Sequence, residues 1–311
     1  MEQPYLSVVI PVYNEEANLG PLMDRLYPVV TGMGRGFEVI FTNDGSRDRS
    51  LEILRGMVER YPGVKVVEFN GNFGQHMAIL AAFEMSRGEI VVTLDADLQN
   101  PPEEIPRLVA EIENGHDVVG TIRQKRQDTA FRRLASKIVN ITTNKMTGMK
   151  MHDYGCMLRA YHHNVIVNIN RCQETTTFIP ALAQTFCSNP VEIEVSHSER
   201  AAGESKYSFY KLIRLNFDLM TGFSVVPLQL FALFGIITSV LSLAFALFLL
   251  VRRFIVGAEV EGVFTLFAIL FFFVGIIIMG IGIVGEYVGR VYQEVRKRPR
   301  FVVRRTYGFD E

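Results

Sequence analysis

Apolar positions along the chain follow two patterns, and the change between them comes near residue 205. Up to about residue 121, short apolar runs of strand length alternate with segments of helix length. Strands that alternate with helices form parallel sheets, so this half of the chain predicts an α/β domain. The predicted strands are Leu6–Val12, Phe37–Asn43, Val64–Phe69, Glu89–Leu94 and Asp117–Thr121.

Two long apolar stretches follow, Leu228–Val251 and Val263–Val284, and neither contains a charged side chain. A helix needs about 20 apolar residues to cross the core of a bilayer. We therefore predict a hairpin of two transmembrane helices, with a buried hairpin of a soluble protein as the alternative. Residues 205–227 mix aromatic with basic side chains, which predicts an amphipathic helix at the membrane interface.

Charge and cysteine content narrow the class of protein. The 311 residues carry a net charge of −1, so the chain lacks the basic excess of a protein that coats nucleic acid. Lysine and arginine cluster on both outer flanks of the predicted hairpin, which assigns those flanks to the cytoplasm. The three cysteines form no CxxC pair, which fits a reducing compartment. The expected organisation is a cytosolic domain (1–204), an interfacial region (205–227), two membrane helices (228–251 and 263–284) and a cytosolic basic tail (285–311).

Two aspartates, Asp95 and Asp97, come directly after the fourth predicted strand. Ligands of parallel sheets bind beyond the carboxyl ends of the strands. Residues two apart on an extended chain point the same way, so both carboxylates can bind one hard cation, Mg²⁺ or Mn²⁺. Gln99 lies on the same side and can add a carbonyl oxygen. Such an ion holds a diphosphate and assists its departure.

The ends of the first two predicted strands favour a nucleotide. Glu15 and Asp44 are suited to accept hydrogen bonds from a base or a ribose, with helix capping as the alternative role. Pro11 and Tyr13 would form the wall that a flat base contacts.

Six motifs span nearly the whole chain. They are VVIPVYNEE (8–16), NDGS (43–46), TLDADLQNPPEEIP (93–106), DYGCMLRAY (153–161), GESKYS (203–208) and GEYVGRVY (285–292). Together they resemble the motifs of polyprenyl-phosphate glycosyltransferases. The resemblance implies a GT-A fold with a Rossmann-like parallel sheet, an inverting transfer, a UDP-sugar donor and undecaprenyl phosphate as acceptor at a bacterial inner membrane. Within that family the chain is most similar to members that transfer 4-deoxy-4-formamido-L-arabinose in lipid A modification and polymyxin resistance.

The resemblance also implies roles for single residues. Two positions depart from the wider family: Asn43 replaces an acid, and Cys156 lies close to where some relatives carry a proposed catalytic acid. The general base is therefore left open. The nucleotide-sugar set is Pro11, Tyr13, Glu15, Asp44 and Asp95, and the metal set is Asp95, Asp97 and Gln99.

The acceptor would be a phosphate monoester, whose second pKa of about 6 leaves it largely ionised near neutral pH. A strong general base is then hardly needed, and the site must instead supply cations that hold the phosphate against the sugar. Asp153 would position the acceptor or act as a weak base, and it forms the predicted catalytic set with Asp97 and Arg200. The candidates for binding the acceptor phosphate are Arg123, Arg126, Arg159, Arg200 and Lys206.

Three alternatives share part of the pattern. One alternative is a processive polysaccharide synthase. Such synthases resemble one another in a QxxRW element, and the absence of tryptophan from this chain argues against that alternative. A hexosyltransferase that uses UDP-glucose for O-antigen or cell-wall glycosylation has the same motifs. A non-catalytic scaffold would not need Asp44, Asp95 and Asp97 together, and two apolar helices are few for a carrier of a lipid-linked sugar. Gly285 and Gly289 permit close approach of another helix, and relatives form tetramers, so we expect a homo-oligomer.

Overall fold

The computed structural model describes residues 3–123, 156–172, 178–196, 226–256 and 262–309. They divide into two compact units, residues 1–208 with 298–311 and residues 209–297. The first unit contains one eight-stranded sheet with helices on both faces.

The sheet contains the five predicted strands, with ends within two residues of the prediction, and three further strands. The strands are β1 (Leu6–Val12), β2 (Phe37–Asn43), β3 (Val64–Phe69), β4 (Ile90–Thr93), β5 (Val118–Arg123), β6 (Arg159–His162), β7 (Pro190–Val195) and β8 (Val303–Tyr307). The order across the sheet is β7-β5-β6-β4-β1-β2-β3-β8. Whereas β1 to β4 pair in parallel, β6 and β8 run antiparallel to their neighbours. The sheet is therefore mixed, although the sequence predicted a parallel one.

Among the described residues, six α-helices pack on the two faces of this sheet. They are α1 (Glu16–Gly32), α2 (Ser50–Arg60), α3 (Gln75–Met85), α4 (Ile105–Glu113), α5 (His163–Arg171) and α6 (Ile179–Phe186). Alternate residues of β1 point to opposite faces, so Val8 and Ile10 pack with α1, α2 and α4 while Val9 packs with α3, α5 and α6. These β1 side chains are fully buried, and each such burial stabilises the fold by about 1.5–3 kcal/mol.

The sheet contains a switch in strand order. After β1 the chain crosses to β2 on one side, whereas β4 pairs with the other side of β1. The connections that follow β1 and β4 therefore leave in opposite directions, and a crevice opens beyond the carboxyl ends of these two strands. Open α/β sheets bind their ligands at this position.

The C-terminal segment differs from the predicted basic tail at 285–311. The second long helix continues to Val295, and the chain then forms β8 on the outer edge of β3. Along β8, Val303 and Tyr307 are partly buried, whereas Arg304, Arg305 and Thr306 between them are exposed.

The second unit contains two long helices, α7 (Val226–Val256) and α8 (Val263–Val295). Each is long and apolar enough to cross a membrane, over Leu228–Phe245 and Ile269–Val295. The two apolar helices that the sequence predicted are thus present, and both extend beyond their predicted ends. The predicted interfacial helix lies outside the described residues, apart from the start of α7.

Candidate active site

The crevice beyond β1 and β4 is bordered by three turns and one loop. The turns follow β1, β2 and β4, and the loop at residues 70–74 joins β3 to α3. The predicted nucleotide and metal residues lie in these turns, except Pro11, which lies in β1.

The turn after β1 presents Tyr13 to solvent, with 43% of its surface exposed. Asn14 next to it has a positive φ of 56°, a conformation that few residues other than glycine adopt. The Asn14 side chain accepts a hydrogen bond from the Arg47 backbone over 2.8 Å, and its own N–H donates to Ser46 Oγ over 3.0 Å. This pair of bonds joins the turn after β1, which carries Tyr13, to the turn after β2.

Asp44 is buried and holds the β3–α3 loop. Its Oδ1 accepts a hydrogen bond from the Phe73 N–H over 2.6 Å, and its Oδ2 accepts one from the Gly74 N–H over 2.9 Å. Burial raises the pKa of Asp44, and the two backbone donors oppose that rise. Asp44 therefore anchors a loop and does not cap a helix. Its predicted contact with the nucleotide stays a prediction.

Gly45 makes this arrangement possible. Its φ is 67°, and a Cβ at this position would lie 2.5 Å from the Gly71 carbonyl carbon. The turn after β2 and the β3–α3 loop thus approach each other at a distance that only glycine permits.

Glu15 precedes α1 and is half-buried. Its Oε2 accepts a hydrogen bond from Asn18 Nδ2 over 2.5 Å, and its backbone N–H donates to Ser50 Oγ over 2.9 Å. The neighbouring Asp48 accepts bonds from the backbones of Glu16 and Ser50 at the starts of α1 and α2. The capping role therefore belongs to Asp48, and the nucleotide contact of Glu15 stays a prediction, as does that of Pro11.

Asp95, Asp97 and Gln99 lie in one turn after β4, and all three are half-buried. Asp95 Oδ1 accepts a hydrogen bond from Gln75 Nε2 over 2.7 Å, and Asp97 Oδ1 accepts one from the Gln99 backbone over 3.2 Å. Leu98 has a positive φ of 62°, so this turn holds a costly conformation of the kind that functional sites retain.

This turn suits a hard divalent cation. Two carboxylates and an amide oxygen are ligands that Mg²⁺ or Mn²⁺ accepts, and Mg²⁺ takes its remaining ligands from water and substrate phosphates. Within the described ranges, no group of three or more His, Cys, Asp or Glu side chains is placed to hold a metal ion. Asp95, Asp97 and Gln99 offer fewer ligands than such an ion takes, which leaves positions for water or substrate oxygens.

A cluster of buried polar side chains contacts the turn after β4. We call this turn, which carries Asp95 and Asp97, the acidic turn. Thr121 Oγ1 donates a hydrogen bond to the Leu158 carbonyl over 2.8 Å and lies 2.9 Å from Cys156 Sγ. Cys156 Sγ in turn contacts Asn100 Oδ1 over 3.4 Å, at the end of the acidic turn. Buried polar groups thereby join strand β5, the segment before β6 and the acidic turn.

Arg159 belongs to the same buried region. Its side chain has no exposed surface, and its Nε donates a hydrogen bond to the Cys156 carbonyl over 2.8 Å. This contact holds the segment before β6, and the predicted contact of Arg159 with the acceptor phosphate stays a prediction. Arg123 ends β5. The other predicted acceptor and catalytic residues, Arg126, Asp153, Arg200 and Lys206, lie outside the described residues.

Gln75 is a site residue that sequence reasoning did not single out. It starts α3 and contacts Asp95, so the β3–α3 loop reaches from Asp44 to the acidic turn. The signal was present in part, because polar residues follow the third predicted strand at 70–76.

The family described as "Glycosyl transferase family 2" matches residues 7–169, about half of the chain. The chain therefore belongs to glycosyl transferase family 2 and is a glycosyltransferase.

Its relatives are similar over nearly the whole length. It is 52% identical over 303 residues to the undecaprenyl-phosphate 4-deoxy-4-formamido-L-arabinose transferase of Pseudomonas aeruginosa (strain LESB58), covering 96% of this chain and 89% of the relative. It is 50% identical over 303 residues to the protein of the same name from Edwardsiella ictaluri (strain 93-146), covering 96% and 93%.

Two solved structures show the GT-A-like fold. One is glucosyl-3-phosphoglycerate synthase from Mycobacterium tuberculosis, in complex with Mn²⁺, uridine diphosphate and phosphoglyceric acid, with a TM-score of 0.52 and 16% identity. The match covers 70% of this chain and 76% of the synthase. The other is a mycobacterial protein with a TM-score of 0.51 and 20% identity, covering 70% and 73%.

Proposed function

We propose that this glycosyltransferase moves 4-deoxy-4-formamido-L-arabinose from a UDP-sugar to undecaprenyl phosphate, with inversion and with the aid of Mg²⁺ or Mn²⁺. The observation that carries the proposal is the acidic turn after β4 beside the exposed Tyr13 after β1, at the switch in strand order. Relatives that share half of their residues with this chain, over nearly its full length, bear the name of that activity.

The donor would lie across the crevice with its base near Tyr13. An exposed aromatic ring held by a rigid turn offers a flat surface on which a uracil can stack. The β3–α3 loop, which Asp44 holds in place, borders the same crevice. Asp95, Asp97 and Gln99 would hold the divalent ion, which would neutralise charge on the diphosphate as it departs.

The chemistry that remains is a single displacement at the sugar. An oxygen of the ionised lipid phosphate forms a bond to the anomeric carbon while the bond from that carbon to the diphosphate breaks, and UDP leaves with the electron pair. The nucleophile needs no strong base because its second pKa is about 6. The protein contributes alignment and charge compensation, for which the candidates on the acceptor side are Arg123, Arg126, Arg159, Arg200 and Lys206.

A lipid acceptor fits the second unit of the chain. Both α7 and α8 are long and apolar enough to cross a bilayer, and a lipid phosphate lies at the membrane surface. We place the catalytic domain on the cytoplasmic face of a bacterial inner membrane, in a two-span protein that serves lipid A modification and polymyxin resistance.

A transfer assay with the full chain in detergent tests the donor. The assay contains undecaprenyl phosphate, Mg²⁺ or Mn²⁺, and either UDP-4-deoxy-4-formamido-L-arabinose or UDP-glucose, and the Asp97→Asn variant serves as the inactive reference. We expect a lipid product from the formamido sugar only. Product from UDP-glucose would instead assign a hexosyltransferase, and no product from either donor would refute the proposal.

A further inference from the structure

The segment that follows the second long helix returns to the sheet and reaches the candidate donor site. We call residues 300–309 the C-terminal strap. Its strand β8 pairs antiparallel with β3, from Val66 opposite Tyr307 to Phe69 opposite Val303, with a shift in register between Glu68 and Phe69. The pairing continues past the strand, since the Asn70 N–H donates a hydrogen bond to the Val302 carbonyl over 3.1 Å. The strap is therefore bonded to the first residue of the β3–α3 loop.

An aromatic row leads from the strap into that loop. The ring of Phe301 stacks on Phe69, with centroids 5.1 Å apart and planes 13° apart. Phe69 is buried, and its ring meets the edge of Phe73 at 5.5 Å and 86°. Phe73 is the residue whose N–H donates to Asp44 over 2.6 Å. Three rings thus connect the strap to the amide that binds a site carboxylate.

An ion pair fixes the start of the strap to α3. Arg300 Nη2 lies 3.7 Å from Glu84 Oε1, and the Arg300 side chain is only 13% exposed. Burial raises the pKa of Glu84, and the Arg300 charge opposes that rise. The Arg300–Glu84 ion pair thus holds the strap before Phe301, and its pairing with β3 holds it after Phe301. Together these contacts keep the Phe301 ring over Phe69.

We propose that Phe301 is a positioning residue for the donor site: its ring holds Phe69 and Phe73 so that the 70–74 loop keeps its amides on Asp44 and Gln75 on Asp95. The effect on catalysis rests on the proposed function, because it assumes that the nucleotide binds beside this loop. The effect on the loop does not, because the contacts exist in the chain alone.

The test uses Phe301→Ala in the full chain in detergent, with Phe301→Leu as a milder variant that keeps an apolar side chain over Phe69. Tyr307→Phe is the matched control. It lies on the same strap but packs on the opposite face of the sheet, and it loses a 2.7 Å hydrogen bond to Glu68 without touching the aromatic row. Hydrogen–deuterium exchange of the amides at 70–76 is measured first, without ligand.

We expect amide exchange at Phe73 and Gly74 to be about two- to tenfold faster in Phe301→Ala, because an aromatic pair contributes about 0.5–1.5 kcal/mol. The same variant should weaken UDP binding in the presence of Mn²⁺ by a similar factor and raise KM for the donor more than it changes kcat. Tyr307→Phe should leave exchange and UDP binding as in the wild type, and Phe301→Leu should lie between.

Unchanged exchange at Phe73 and Gly74 in Phe301→Ala would overturn the positioning role. If Phe301→Ala does not fold, the same comparison is made with Phe301→Leu. Wild-type chain that fails to bind UDP would refute the nucleotide site itself, and the exchange result would still decide whether the strap holds the loop.

Discussion

The side-chain amide of Gln75 donates a hydrogen bond to Asp95 over 2.7 Å and so connects the β3–α3 loop to the acidic turn after β4. The bond uses one Asp95 oxygen and orients the carboxylate, as outer hydrogen bonds do for metal ligands in general. In the proposed metal site, Gln75 would therefore orient the Asp95 carboxylate towards the ion.

Replacing Gln75 with Leu should weaken the metal site without removing a ligand. We expect the Mn²⁺ concentration for half-maximal activity to rise about tenfold or more, since loss of an outer hydrogen bond typically costs 10–100-fold in metal affinity. A metal titration by calorimetry in the presence of UDP checks the binding directly. Asp24→Asn, which changes an exposed residue of α1, is the control and should behave as the wild type. An unchanged metal affinity in Gln75→Leu would show that the bond to Asp95 does not orient a ligand.

Tyr13 should act through its ring. We expect Tyr13→Ala to raise KM for the donor about tenfold, because stacking of a base on an aromatic side chain contributes about 1–3 kcal/mol. Tyr13→Phe keeps the ring and should stay close to the wild-type KM. Steady-state kinetics with the preferred UDP-sugar separate the two, and equal KM values for Tyr13→Ala and the wild type would remove the base from this position.

Thr121 should contribute to stability through its buried hydroxyl. Thr121→Val leaves the Leu158 carbonyl without its donor, which we expect to cost about 1–3 kcal/mol. The same substitution at Thr306, which is exposed on β8, should cost far less. Thermal unfolding in detergent compares the two variants, and a Tm loss that is no larger at Thr121 would contradict the role given to the buried cluster.

His76 should make the fold sensitive to acid. Burial lowers the pKa of His76 to about 4, and its ring packs against Phe178. The unfolded chain has a histidine pKa of about 6.5 and binds the proton first, so the contribution of neutral His76 to stability is complete above about pH 6.5. It is lost as the pH falls from there towards the folded pKa of about 4. The Tm of the wild type should therefore drop more steeply over this interval than that of His76→Gln, and parallel profiles would rule out His76 as the cause.

We expect two different roles for the glycines of α8, one in packing against α7 and one in contact with another copy of the chain. A Cβ at Gly280 would lie 2.4 Å from the Phe231 ring, so this glycine lets α7 and α8 pack together. Among the described residues, nothing lies within 4 Å of a Cβ placed at Gly285 or Gly289. We expect Gly285→Leu with Gly289→Leu to lower the mass of the assembly in detergent while the fold is kept, and Gly280→Leu to lower Tm. An unchanged mass, measured by light scattering, would exclude this face from the oligomer contact.

The sequence predicted the first three strands to the residue because buried parallel strands are continuous apolar runs with polar residues at their ends. It did not predict β8, whose exposed arginines are typical of a solvated tail. Edge strands often carry such charges, which oppose pairing of their open edge with another chain.

The sequence predicted several of the side chains that lie at the candidate site. It did not predict their hydrogen-bond partners. Asp95 and Asp97 follow a strand and were placed correctly at the carboxyl edge of the sheet. The bonds of Asp44 were not predictable, because the donors are backbone amides of Phe73 and Gly74 and any residue carries such a group. Arg159 was a candidate because the reaction needs cations at the acceptor phosphate, and the sequence did not show that its side chain is buried and donates to the Cys156 carbonyl.

The dependence of the reaction on its acceptor tests the central claim most directly. The full chain is incubated with its preferred UDP-sugar and Mn²⁺ together with undecaprenyl phosphate, with undecaprenol, or without lipid, and both the lipid product and the released UDP are measured. We predict one UDP released for each sugar found on undecaprenyl phosphate, and almost no release in the other two mixtures. Equal UDP release without the lipid phosphate, or product on undecaprenol, would contradict transfer to a lipid phosphate at this site.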